Sequence, residues 1–82
     1  MIQMNKEKIN FHYDKEADIL YVRIGEQRES VYEDSDNGIV YRIDPGTKKY
    51  FGFTIVHYMK RINRGMLKNV PRFEWVELPR YN

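Results

Sequence analysis

Residues 13–55 read YDKEADILYVRIGEQRESVYEDSDNGIVYRIDPGTKKYFGFTI, and this stretch decides the fold. Apolar and polar side chains alternate within it over short runs, the period-2 pattern of strands with one wet face. In the run 19–24, Leu20, Val22 and Ile24 share one side, which is expected to face the core, while Ile19, Tyr21 and Arg23 share the other. Polar breaks separate the runs. Asp14 and Asp18 bracket a first turn, where Asp side chains bond local amides, and residues 25–29 are too polar for a buried element. Asn37-Gly38 suits a two-residue type I′ turn, which needs positive φ at both central positions. Residues 44–49, with Pro45 and a permissive Gly46, reverse the chain again.

Working outward, Ile9, Phe11 and Tyr13 alternate with Lys8, Asn10 and His12 as a first strand. Residues 30–33, 39–44 and 50–55 give the third to fifth, with Phe51, Phe53 and Ile55 expected on one face and Tyr50, Gly52 and Thr54 on the other. The period then changes. Ile55, Met59, Ile62 and Met66 lie at i, i+4, i+7 and i+11, an apolar stripe on a short helix over 56–64, opposed by His57, Lys60, Arg61, Arg64 and Lys68. Gly65 is the expected stop. Beyond it, Pro71 and Pro79 bracket an extended segment with Phe73 and Trp75 on one side and Val76 and Leu78 on the other. The segment reads as an edge strand or an arm.

An 82-residue chain makes one domain, since a fold of this size buries only about 60 to 65% of its unfolded surface. A core over 8–64 with a C-terminal extension over 65–82 is the expected division. The chain has no cysteine, which rules out disulfides and thiolate metal sites and fits a cytoplasmic location. Its N-terminus lacks the apolar run of a secretory signal, and no segment approaches the roughly 18 to 20 apolar residues that span a bilayer. A soluble protein with no membrane partner is expected. The net charge of +2 is unevenly spread: residues 1–56 carry −2 and residues 57–82 carry +4.

The blocks Tyr13-Asp14-Lys15-Glu16-Ala17-Asp18-Ile19-Leu20-Tyr21-Val22-Arg23, then Asn37-Gly38-Ile39-Val40-Tyr41, then Gly52-Phe53-Thr54-Ile55, resemble the small prokaryotic family called domain of unknown function 2283. That family's pattern runs Y-D-x-E-A-D-x-L-Y-I-R, D-G-V-I-L-D and V-G-I-E-I-L, and the resemblance covers about residues 11–60. It implies a small antiparallel meander with a helix and carries no catalytic residue across. Some members look like the antitoxin halves of toxin-antitoxin pairs. Residues 64–82 extend beyond the common pattern and hold the basic and aromatic groups of the tail.

No grouping of residues is arranged for a reaction. Asp14, Glu16 and Asp18 space carboxylates as a calcium loop begins, but Ile19 stands where that loop needs Gly and Gly25 where it needs the bidentate Glu. They read as turn formers, and Glu33, Asp34 and Asp36 as a solvated hairpin end. His12 and His57 form no metal-binding pair. Ser30 and Ser35 lie in no nucleophile context, and the glycines form no phosphate loop. The chain is therefore expected to be no enzyme and to need no cofactor.

Two surfaces invite partners. Arg64, Lys68 and Arg72, with Phe73 and Trp75 as anchors, suit a protein partner along the arm, and antitoxin-like neutralisation of a toxin is the concrete form of that reading. Tyr21, Arg23, Tyr32 and Arg42, with Ile19 and Val40, are expected together on the far face of the sheet. Tyr and Arg are enriched at interface centres, so this face suits a homodimer unless the arm folds over it. As an alternative, Lys60, Arg61, Arg64 and Lys68 on the helix, with the Tyr/Arg face, suit nucleic-acid phosphates. Solvated basic residues favouring the helix's negative end are the bland reading of the same stripe. The expected fold is α+β: a small antiparallel meander of four to five strands, one amphipathic helix on one face and an extended C-terminal arm.

Overall fold

The computed structural model describes residues 8–26, 28–35, 37–67, 70, 72, 73 and 75–81. Five strands form one antiparallel sheet: β1 (Ile9–Asp14), β2 (Ile19–Ile24), β3 (Val31–Asp34), β4 (Ile39–Ile43) and β5 (Tyr50–Val56). One helix follows, α1 (Tyr58–Asn63). The α+β class is thus as expected, but the strand order β1-β2-β5-β4-β3 departs from a simple meander. β1–β2 and β3–β4–β5 are each consecutive. β5, however, pairs with β2 at the middle of the sheet, and the 25–30 loop crosses to the far edge. Three strand spacings of about 4.8 Å make roughly 14 Å, well within that loop's reach. No helix among the described residues is long and apolar enough to cross a membrane.

The alternation predicted for β2 holds, since Leu20, Val22 and Ile24 are buried and pair into the same face as Phe53, Ile55, Ile39 and Tyr41. β5 breaks its own alternation. A bulge opposite Arg42 and Ile43 pairs Arg42 with Gly52 and Ile43 with Tyr50, leaving Phe51 as the extra residue. Tyr50 therefore stands edge-on to Tyr41, centroids 5.6 Å apart, on the core side. Phe51 is buried away from the main core, its ring under the guanidinium groups of Arg28 at 5.1 Å and Arg42 at 5.6 Å. The expectation that Phe51 shares a face with Phe53 and Ile55 is corrected by this bulge.

The turns follow sequence chemistry with shifts of position. Ser35 N–H donates to the Ile39 carbonyl at 3.0 Å, so the reversal is longer than the predicted two-residue turn; Gly38 at φ +83° supplies its left-handed residue. Between β4 and β5 the left-handed position falls on Lys48 rather than Gly46, and the Asp44 carboxylate holds the turn by accepting the N–H groups of Gly46 and Thr47 at 2.8 and 3.1 Å.

Asp18 ties the first turn to the helix. His57, left-handed at φ +54°, opens α1 without a capping bond of its own. The Asp18 carbonyl accepts Tyr58 N–H at 2.9 Å, and its carboxylate accepts Met59 N–H at 2.9 Å and Lys60 N–H at 3.4 Å. A side chain 41 residues upstream thus satisfies amides that a helix start leaves open. Tyr13 OH donates to the same carboxylate at 2.7 Å. Burial pushes the Asp18 carboxyl up, but the bonds from Tyr13, Met59 and Lys60 outweigh it and leave it below its ordinary value. The same bond from Asp18, helped by burial, raises the Tyr13 phenol to about 12.

The helix is shorter than the sequence predicts because Val56 still belongs to β5. At its other end Gly65, φ +69°, donates to the Ile62 carbonyl and Met66 N–H to that of Arg61, the paired bonds of a Schellman stop. Of the expected stripe, Ile55 is buried in the sheet, Met59 and Ile62 pack half-buried on the core, and Met66 is 57% exposed. Six residues cannot roof five strands.

The tail completes the roof. Phe73 N–H donates to Val70 and Val76 N–H to Phe73, at 2.8 and 2.9 Å, two successive tight turns that bring every third residue to one side. Val70, Phe73 and Val76 are all buried there, Phe73 stacking on Phe53 with centroids 4.8 Å apart. Three such side chains contribute roughly 1.5–3 kcal/mol each, comparable in sum with the roughly 4–12 kcal/mol expected for a whole chain of this length. The far end is also fixed: Tyr58 OH donates to the Pro79 carbonyl, and Tyr81 stacks on Tyr13 at 4.3 Å.

Candidate functional site

Because the tail lies on the Leu20–Phe53 face, the opposite face of the sheet is left open. Pairing places Asn10, Arg23, Gly52, Arg42 and Tyr32 in one row across all five strands, with His12, Tyr21, Thr54, Val40 and Asp34 in the next. The four residues predicted to share this face, Tyr21, Arg23, Tyr32 and Arg42, are brought together in the two rows. Tyr21 and Tyr32 are 40% and 65% exposed.

Gly52 makes the row possible. A Cβ there would lie 2.5 Å from the Val22 carbonyl and 3.4 Å from the Arg42 side chain. Its bare backbone lets the neighbouring strands and the Arg42 stem close over it. Arg42 is further held with its guanidinium 5.8 Å from the Tyr32 ring and 5.6 Å from Phe51. The Nε atoms of Arg23 and Arg42 are both buried and have no hydrogen-bond acceptor among the described residues. Neither guanidinium has a carboxylate partner among them; the ion pairs found there are Arg28–Asp44 and Arg72–Glu33. Beside the pair, a recess of about 220 Å³ is lined by Asn10, His12, Tyr21, Arg23 and Arg42, and the His12 and Tyr21 rings stand 5.8 Å apart.

The arm is placed differently from the sequence reading. Phe73, expected as an anchor for a partner, is 4% exposed within the chain's own core. Arg72 is likewise engaged at home. Its guanidinium lies 4.4 Å from the Tyr50 ring and 4.9 Å from Tyr41, and it pairs with Glu33 at 3.7 Å, a carboxylate that also accepts Tyr50 OH at 2.8 Å. Glu33, exposed on β3 as a solvated hairpin end would be, thus also touches the tail through Arg72. Trp75, edge-on to Phe73, remains 58% exposed. Lys68 lies outside the described residues.

On the helix, His57, Lys60, Arg61 and Arg64 line a second shallow recess with Met66. Arg61 is only partly free to serve it, since its Nε donates to the Val56 carbonyl at 2.7 Å and its guanidinium covers Gly38. Of the acidic groups in the first turn, Asp14 accepts Ala17 N–H at 3.2 Å and Asp18 caps the helix, so both have structural work of the turn-forming kind. Alternation set Asn10, His12 and Gly52 opposite the apolar rows of their strands, but sequence reasoning missed that they join the Tyr/Arg group. An isolated Gly inside a strand pattern was the available signal, because it marks close approach of a neighbour.

Neither curated proteins nor solved structures provide a match to this chain. Residues 10–48, which span β1 to β4, match the model of the family described as protein of unknown function (DUF2283), so the resemblance carried by the first two sequence blocks is borne out over that stretch.

Proposed function

We propose that this chain is a non-catalytic binding module that receives an anionic macromolecular partner on the open Tyr/Arg face of its sheet. The observation that carries this reading is the Arg23–Gly52–Arg42 row, two arginines on either side of one bare backbone position, neither ion-paired to a carboxylate among the described residues. Their stems are packed, so little side-chain freedom remains to be lost on binding. Exposed Tyr21 and Tyr32 flank them with flat, amphipathic surface of the kind that anchors interfaces. A symmetric homodimer centred on this row would bring four guanidinium groups together, which favours a partner of opposite charge over a second copy.

A protein with an acidic surface is one such partner, and its antitoxin-like form draws its support from the family resemblance. The test is co-expression with the products of neighbouring reading frames. A complex kept by Trp75→Ser and lost by Arg23→Gln/Arg42→Gln supports recognition through the sheet. A complex lost by Trp75→Ser and indifferent to the arginine pair would return recognition to the arm.

A further inference from the structure

We infer that the Arg23–Arg42 row is a phosphate-binding site for single-stranded nucleic acid, with Tyr21 and His12 as the stacking platform for a neighbouring base. This deepens the open-face reading and rests on it. Arginine suits phosphate because its planar fork gives two parallel, charge-assisted hydrogen bonds. With each Nε sealed and lacking an acceptor, the donors left for an incoming anion are the terminal guanidinium nitrogens.

Two cations whose Cα atoms are two strand spacings apart, about 10 Å, and whose side chains flank the same glycine match a backbone carrying one charge per nucleotide. A lone carboxylate would satisfy only one of them. The aromatic surroundings point the same way. Tyr21 and His12 stand 5.8 Å apart with their planes 31° from parallel, both exposed at the mouth of the recess beside Arg23. Tyr32 lies exposed on the other side of Arg42. Alternation of positive groups with open rings on a sheet is how single strands are held without a groove: phosphates pair with the cations and bases stack on the rings. A duplex would keep its bases stacked on one another and leave those rings unused.

The experiment is fluorescence anisotropy of a labelled ten-nucleotide RNA of mixed sequence against the full chain, from about 50 to 200 mM salt. The intact chain is expected to bind, with affinity falling across that range. Arg23→Gln/Arg42→Gln should weaken binding at least tenfold and lower the slope of log affinity against log salt by about 1.4, the share of two phosphates on a single strand. Its thermal midpoint should stay close to that of the parent. Tyr21→Ser should weaken binding several-fold with the salt slope unchanged, which a merely structural loss would not do. A duplex of the same sequence should bind more weakly.

Binding unaffected by the arginine pair but abolished by Lys60→Gln/Arg64→Gln would overturn the inference and the open-face reading together, since the ligand would then sit on the helix. No binding of the RNA by the intact chain, or binding of poly-glutamate through the same arginines in its place, would overturn the inference alone. The open-face reading would then be judged by the co-expression test.

Discussion

On one side of the sheet, Leu20, Val22, Phe53 and Ile55 lie beneath Val70, Phe73 and Val76 of the chain's own tail. On the other, Arg23 and Arg42 stand on either side of Gly52 near exposed tyrosines. Both sides are made by the same five strands, yet one is roofed by the chain itself and the other is the face proposed for recognition. A short sheet with a six-residue helix can be stable only if something else covers its apolar face, and here the C-terminal segment does so. Committing Val70, Phe73 and Val76 to the inside takes those side chains out of any external contact, and leaves the polar-aromatic side uncovered by them. The location of the open face thus follows from where the tail is spent.

The largest test of this contrast is Phe73→Ala set against Trp75→Ala. The first removes a ring stacked in the core and should cost about 3–5 kcal/mol in urea unfolding. The second trims a side chain that is mostly in water and should stay within about 1 kcal/mol. Equal costs would erase the distinction between a lining residue and a surface one.

Gly52→Ala sharpens the contrast from the other side. The added methyl would press on the Val22 carbonyl, and overpacking of this kind costs about 1–3 kcal/mol. It should also disturb the arginine row, seen as shifts of the Arg23 and Arg42 side-chain NMR resonances.

Asp18→Asn comes next, at about 1 kcal/mol, the usual worth of a capping side chain. Asn tolerates the left-handed backbone at φ +59°, so the change reads the carboxylate rather than strain. The folded-state pKa of Asp18 lies below the value of 3.8 for an unperturbed carboxyl. Its contribution is therefore complete above that pH and is lost as the pH falls through the folded value. Urea unfolding of the two proteins should differ at pH 7 and converge on acidification; a difference that persists in acid would contradict the role assigned to the charge.

The smallest expected change is Arg23→Met/Arg42→Met. Each parent side chain buries an Nε with no acceptor among the described residues, and replacing such a group by an apolar one of similar shape is close to neutral. Urea unfolding should move by no more than about 1 kcal/mol in either direction. A loss of several kcal/mol would make the pair a structural element.

The strands were legible because period 2 survives in residues 9–24 and 39–43, and the helix stop because Gly65 ends the apolar spacing. The strand order was not, since a loop long enough to join neighbours is also long enough to cross them. Phe51 and Tyr50 were misread because a one-residue bulge takes them out of the alternation that Gly52 to Ile55 keep. The tail was misread for a related reason: residues 70, 73 and 76 repeat every third position, and a search for periods of 2 and 3.6 passes over them. The tyrosines and arginines of the open face could be grouped from alternation alone. That Asn10 and Gly52 complete their row needed the register.

Solvent paramagnetic relaxation of side-chain NMR signals, with a soluble gadolinium chelate, tests most directly which side of the sheet is covered. The ring protons of Tyr21 and Tyr32 should broaden strongly while those of Phe73 and Phe53 stay sharp. A Phe73 ring that broadens with them, or Tyr21 and Tyr32 rings that stay protected, would contradict the division of labour between the two faces.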